Sequence, residues 1–187
     1  MQKVLFLFGE LNDDDIDWLI TAGQVARIPP TTSLVTENQP LENLYILLEG
    51  SVSVSICTLD RIREIAVLTS GEIFGELSFM DNDLPTASIE TLEECLILSI
   101  PRPKISLRLQ QDIGFSARFY RAIATFLAHR LRNTVSTLGQ DKDFVFNQSF
   151  SADELPNSAI ENFELASTRF DWLLRRVKSQ TTVEQAP

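Results

Sequence analysis

The residues whose types and spacing point to chemistry lie in the stretch Leu68-Thr-Ser-Gly71-Glu-Ile-Phe74-Gly75-Glu76-Leu77-Ser-Phe79-Met-Asp-Asn-Asp-Leu-Pro85-Thr86-Ala87. Gly75 has no Cβ, so backbone at that point can come close to a ligand. A helix beginning just after it leaves its first backbone N–H groups unpaired, and these can cradle an anion. The neighbouring carboxylate, Glu76, can accept hydrogen bonds from a sugar hydroxyl. The same Phe-Gly-Glu-Leu run would also suit a plain turn and helical turn in any β-barrel. The surrounding elements therefore have to carry the assignment.

Other chemistry finds little to work with. The single histidine, His129, falls in a helical stretch with no Cys or His at ligand spacing, and reads as structural or solvent-facing. Cys57 and Cys95 are the two cysteines, too few for a disulfide framework and wrongly spaced for a metal. Both sit in apolar strand-like runs and are expected to pack as small hydrophobes. No metal site is expected. No paired-carboxylate, nucleophile–base or phosphate-loop motif occurs in a supporting context, so the chain reads as non-enzymatic. An enzymatic reading would have to use Glu76 and Asp81, for which a solvated acidic surface is the simpler account.

With 187 residues and 44% hydrophobic composition, the chain can bury a core of ordinary domain size. No apolar run approaches the ~20 residues that cross a bilayer. The opening Val-Leu-Phe-Leu-Phe is shorter than the roughly 7–15 apolar residues of a secretory leader, so a cytosolic location is expected. The net charge of −10 is unevenly spread: the first hundred residues are strongly acidic, residues 101–138 are basic, and residues 139–187 are mildly acidic. An acidic body repels nucleic-acid phosphates, and the basic stretch falls on a helix whose pattern assigns it to packing.

The elements that must position the motif follow from periodicity. Asn12-Asp-Asp-Asp-Ile-Asp-Trp-Leu-Ile predicts a helix capped by Asn12 or Asp13, with Ile16, Leu19 and Ile20 as its apolar face. From about residue 24 to 100 the period becomes two, in short runs such as Val52, Val54 and Ile56, separated by Gly, Pro, Asn or Asp. That pattern predicts antiparallel strands of a barrel or roll. Glu49-Gly50 and Ser70-Gly71 mark turns. Pro101-Arg-Pro-Lys-Ile predicts a short helix with proline in its first turn. A longer helix, about 112–138, carries a stripe including Phe115, Phe119, Ile123, Phe126, Leu127, Leu131, Val135 and Leu138, and Gly139 ends it. That stripe is wide enough to pack on the roll and on a second copy of itself.

Together these residues resemble the cyclic-nucleotide-binding domain family, to which the bacterial catabolite activator protein belongs. The resemblance covers about residues 4–138. It rests on the opening helix, Leu44-Tyr45-Ile-Leu-Leu-Glu-Gly50-Ser-Val52, the Leu-x-x-Gly-x-x-Phe-Gly-Glu run, and Leu127-Ala128-His129-Arg130-Leu131-Arg132. It implies an α+β fold: an antiparallel β-roll, jelly-roll-like, with an N-terminal helix, a short cassette helix and a long C-terminal helix. It also implies a phosphate-binding cassette at Phe74, Gly75, Glu76 and Leu77, where Glu76 would bind a ribose 2′-hydroxyl. Ten residues after that glutamate the family places an arginine that grips the phosphate. Here the spacing is kept and the residue is Thr86, followed by Ala87. Thr134 matches a threonine that some members use to reach adenine. Arg61, Arg63 and Arg130 are the arginines that could stand in for the missing one.

The sequence is therefore expected to divide into two parts. Residues 1–138 form the nucleotide-binding-type unit, and 139–187 a linker followed by an amphipathic helix. In the second segment Ser158-Ala-Ile-Glu161 has capping-box spacing, and Phe163, Ala166, Phe170, Leu173 and Val177 share one face beside Trp172. That face either folds back on its own domain or docks a protein partner along 158–178. Three basic residues, Arg175, Arg176 and Lys178, read as complements to its helix dipole. No DNA-binding domain is expected. The expected function is a regulatory or sensor module, homodimeric through Phe115–Leu138, with cyclic-nucleotide affinity weakened or lost. The alternative is a working cAMP or cGMP receptor in which another basic residue replaces the arginine. No other cofactor is expected.

Overall fold

The computed structural model of the chain describes residues 5–58, 61–138 and 157–183. Two short helices open it, α1 (Leu5–Glu10) and α2 (Asp13–Ala22). Strands follow: β1 (Gln24–Ile28), β2 (Ser33–Val35), β3 (Asn43–Glu49), β4 (Ser51–Thr58), β5 (Arg61–Thr69) and β6 (Ile73–Phe74). Then come α3 (Glu76–Asp81), β7 (Ser88–Thr91), β8 (Cys95–Pro101), α4 (Arg102–Gln111), α5 (Ile113–Leu138) and α6 (Asn157–Val183). The strands make two antiparallel four-stranded sheets, in the orders β1-β8-β3-β6 and β2-β7-β4-β5. This is the expected α+β roll.

Period-two alternation splits the apolar residues of β3 and β8 between two cores. Leu44, Ile46, Leu48, Leu96, Leu98 and Ile100 face the helices, where they join Phe115, Phe119 and Ile123 of α5. Leu47, Cys95 and Ile97 face inward between the sheets, with Val52, Val54, Leu68, Phe74 and Ile89. A strand covered on both faces needs apolar residues at every position. That is why Tyr45-Ile-Leu-Leu and Cys95-Leu-Ile-Leu read as continuous runs.

Several local expectations are met by specific bonds. Asn12 caps α2 in a reciprocal capping box: its Oδ1 accepts from Asp15 N at 2.9 Å, and Asp15 Oδ2 accepts from Asn12 N at 3.0 Å. Gly50 and Gly71 turn with positive φ. The turn at Thr31 departs from the usual glycine. Thr31 keeps the left-handed conformation (φ 59°) in spite of its branched side chain. A bracket of bonds holds it: Thr31 N donates to Thr91 O, Thr32 Oγ1 and Thr91 Oγ1 donate to Pro29 O, and Thr32 N donates to Thr91 Oγ1. Cys57 also departs from expectation, since it is exposed at the end of β4, whereas Cys95 is buried. Helix α1 buries Leu7 and Phe8. The helix stop at Gly139, the linker 140–156 and the side chains of the Ser158–Glu161 box lie outside the described residues.

The uneven charge along the sequence becomes contacts. Residues of the basic segment meet acidic or carbonyl partners on the body: Lys104 Nζ donates to Ala22 O, Arg118 pairs with Asp15, and Arg121 with Glu10. The terminal helix continues the scheme. Its buried stripe of Ala166, Phe170, Leu173 and Val177 lies in the helix-side core, where Phe170 meets the ring of Phe8. Arg169 pairs with Asp13 and donates to the Phe8 and Leu11 carbonyls, Arg176 pairs with Asp17, and Lys178 with Glu49. The stripe therefore folds back on its own domain. Arg176 and Lys178 bind the body and do not complement a helix dipole in a last turn, which lies beyond them.

Asp15 is 1% exposed, and Arg118 meets it with two bonds of 2.6 and 2.9 Å. Removing the guanidinium would strand a buried carboxylate. Arg118→Ala is therefore expected to lower unfolding free energy by about 2–3 kcal/mol in a urea titration, with the m-value unchanged.

Candidate functional site

The pairing of β6 with β3 sets the site. Tyr45 lies opposite Phe74 and the two rings stack at 5.0 Å, which fixes the end of β6. The chain then turns through Gly75 (φ 86°, ψ 4°). A Cβ there would stand 2.8 Å from Leu41 Cδ2 and 3.1 Å from the Asn43 carbonyl oxygen. Glycine is thus required twice at this position, for its conformation and for the close approach of β3. The turn swings Glu76 and Ser78 inward, and both are buried. The helix ends at Asn82, another left-handed residue (φ 58°).

Arg102, which sequence reasoning passed over, locks this helix in place. Its Nη2 donates to Ser78 O (2.6 Å) and Asn82 Oδ1 (3.0 Å), and its Nη1 donates to Leu41 O (2.9 Å). Its guanidinium lies 5.7 Å from the centre of the Phe79 ring. One planar cation thereby satisfies carbonyls at the end of α3 and in the segment before β3. The signal available in the sequence was the Pro-Arg-Pro entry to α4, which fixes where that arginine sits.

Above Gly75 the two sheets, α3 and α5 enclose a cavity of about 220 Å³. Seven of the eight expected site residues line it: Phe74, Gly75, Glu76, Leu77, Thr86, Ala87 and Arg130. The side chain of the eighth, Thr134, lies outside the described residues, as does that of His129. Most of the wall is apolar, including Val35, Val54, Ile56, Ile65, Leu68 and Ile89. Among the described residues its polar members are Glu76, Ser78, Asp81, Asp83, Thr86 and Arg130.

Of the three arginines considered as substitutes, Arg130 reaches the cavity. Arg61 and Arg63 lie exposed on β5 and are not part of the lining. Arg130 Nη1 donates to Glu76 Oε1 at 2.8 Å, joining α5 to the cassette. Burial of Glu76 pushes its carboxyl above the ordinary value, opposed by the Arg130 charge and by hydrogen bonds to the carboxylate. Glu72 is directed to the turn before β6. Its Oε2 accepts from Thr69 N at 2.6 Å, and it does not line the cavity. Among the described residues no cluster of His, Cys, Asp and Glu could hold a metal ion. No described helix is long and apolar enough to cross a membrane.

Residues 25–112 match the family described as cyclic nucleotide-binding domain. A potassium channel, AKT1 of Oryza sativa, is 24% identical over 131 residues, which is 70% of this chain and 14% of the channel. The cAMP-activated global transcriptional regulator of Pasteurella multocida is 28% identical over 124 residues, 65% of this chain and 57% of the regulator. The chain thus spans little more than half of that regulator and a small part of the channel. Among solved structures, the catabolite activator protein of Thermus thermophilus superposes with a TM-score of 0.60 at 24% identity, over 72% of this chain and 62% of that one. This last likeness is one of fold.

Glu76 yields a pH prediction. A raised folded-state value means that the folded protein holds this proton more tightly than the unfolded chain. The associated stability is complete below the ordinary value of 4.5 and is lost as pH rises through the raised one. Glu76→Gln lacks that loss. Its melting temperature is expected to rise relative to the parent between acid and neutral pH, as followed by thermal denaturation across a pH series.

Proposed function

Because residues 25–112 form a domain of the cyclic nucleotide-binding family, we propose that the chain is a non-enzymatic regulatory module with a ligand cavity above Gly75 and Glu76. Its affinity for cyclic nucleotides is weak. One observation carries the second half of this reading: the residue ten positions after Glu76 is Thr86, exposed at the cavity wall with a hydroxyl and no charge. A guanidinium would meet a cyclic phosphodiester with two charge-assisted hydrogen bonds. Losing such a contact costs roughly 1.5–3 kcal/mol, or about one to two decades of affinity. Asp81 and Asp83 on the same wall oppose an anion further.

A second reading has its own support, because Arg130 lies on the wall. In that reading Arg130 leaves Glu76 and takes the phosphate, giving a working cAMP or cGMP receptor. The cost is the ion pair itself, since releasing it exposes a buried carboxylate without its partner. For that reason the first reading is preferred. Direct DNA contact is not part of either, since the described segment after α5 is a helix packed on α1 and α2. The proposed location is cytosolic.

The module would act through contacts between copies or with a partner. Phe115, Phe119, Ala122, Ile123 and Phe126 are buried within the chain itself, so the first half of the expected dimer stripe is already used. Leu131 and Val135, one turn apart, remain 65% and 59% exposed and are the proposed seam.

Isothermal titration with cAMP tests the pocket reading. The parent protein is expected to bind weakly, and Thr86→Arg to bind at least about ten-fold more tightly. Parent binding at micromolar affinity that Arg130→Ala abolishes would establish the second reading instead. For the seam, size-exclusion chromatography with light scattering is expected to give twice the chain mass, and Leu131→Glu to give the chain mass. A parent protein already at the chain mass would remove the dimer.

A further inference from the structure

The wall of the cavity combines an apolar enclosure with a charge distribution that selects ligands by charge. Val54, Ile65 and Leu68 from one sheet and Phe74 from the other give the cavity an apolar wall. At its α3 side Glu76 and Arg130 stand 2.8 Å apart, so a carboxylate acceptor and guanidinium donors are presented side by side to hydroxyl groups. Their charges cancel at that distance. Asp81 and Asp83 remain on the wall, and Arg130 is the one basic residue among the described residues that line it. The two aspartates are held there by their own loop: Asp81 Oδ1 accepts from Asp83 N (3.0 Å), and Asp83 Oδ1 from Leu84 N (2.8 Å). Thr86 adds a hydroxyl and no charge. Beyond the Glu76–Arg130 pair, the charges among the described lining residues are negative.

We propose that this cavity takes an uncharged, hydroxyl-bearing ring ligand of nucleoside type and rejects its anionic cyclic phosphate. The proposal rests on the reading of the cavity above Gly75 as the ligand site, and it names the class of ligand. An apolar wall rewards a ring system, the Glu76–Arg130 pair satisfies a sugar's hydroxyls, and the aspartates penalise a phosphate by like-charge repulsion. A neutral ligand incurs no such penalty. A cationic one would gain from the aspartates but must shed its hydration against an apolar wall.

Calorimetric titration with three adenine ligands of graded charge tests this: cAMP, adenosine and 5′-amino-5′-deoxyadenosine, with amide shifts of Gly75–Ser78 followed by NMR. Guanosine and cGMP form a parallel pair. Expected is binding of a nucleoside at least about ten-fold tighter than its cyclic phosphate, with the shifts centred on those amides. In Asp81→Asn/Asp83→Asn the gap is expected to narrow. An unchanged gap would remove the aspartates as its cause and overturn the argument. Cyclic phosphates binding as tightly as nucleosides, with the same amides shifted, would overturn the proposal and leave the ligand site standing. A ten-fold preference for the amine would replace the neutral ligand by a cationic one. If no parent titration shows binding, the proposal falls. Thr86→Arg then decides the site: cAMP binding gained by that variant keeps it, and none removes it too.

Discussion

The buried pair of Asp15 and Arg118 places the long helix, and through it the cavity. Asp15 closes the capping box of α2 with one carboxylate while receiving the guanidinium of α5 on both of its oxygens. Phe115 and Phe119 on either side are fully buried, so α5 is fixed in rotation as well as in position at this end. A helix is a stiff ruler. Twelve residues beyond Arg118, about 18 Å further along its axis, Arg130 arrives over Glu76. The polar corner of the cavity therefore depends on a contact made far from it, with an element, α2, that does not line it.

The same logic explains which parts of the fold were legible in the sequence. Strands such as β4 alternate cleanly because one face is buried and the other meets solvent or polar neighbours. The capped start of α2, the proline entry to α4 and the length of α5 were likewise written in local residue types. Helix α1 was not, since six residues carry too little periodicity and its formation depends on the α5 and α6 surfaces it meets. Nor was the left-handed Thr31, whose conformation is imposed by Thr91 and Pro29 from across the roll. Long-range hydrogen bonds of this kind leave no mark on a local pattern.

For the site, residue types disclosed the turn and the carboxylate, but not the pairings. Glu72 and Glu76 look equivalent in sequence, on either side of Ile73-Phe74-Gly75. The turn at Gly75 separates them, turning one carboxylate to the Thr69 backbone and the other to Arg130. Arg61, Arg63 and Arg130 were also indistinguishable until the register of β5 and the axis of α5 were known. The pattern of the basic segment 101–138 assigned it to packing but did not name the partners of its charges. Much of it is internal wiring between helices and an acidic body.

The attachment of α6 combines two kinds of force with opposite responses to the medium. Its ion pairs to Asp13, Asp17 and Glu49 lie at or near the surface, where dissolved ions screen them. Its stripe of Phe170, Leu173 and Val177 is held by exclusion from water, which excluded salts such as sulfate strengthen. As ionic strength rises, one hold slackens while the other tightens. The helix is thereby buffered against changes in salt, and keeps its place on the domain across conditions that would detach an arm held by charge alone.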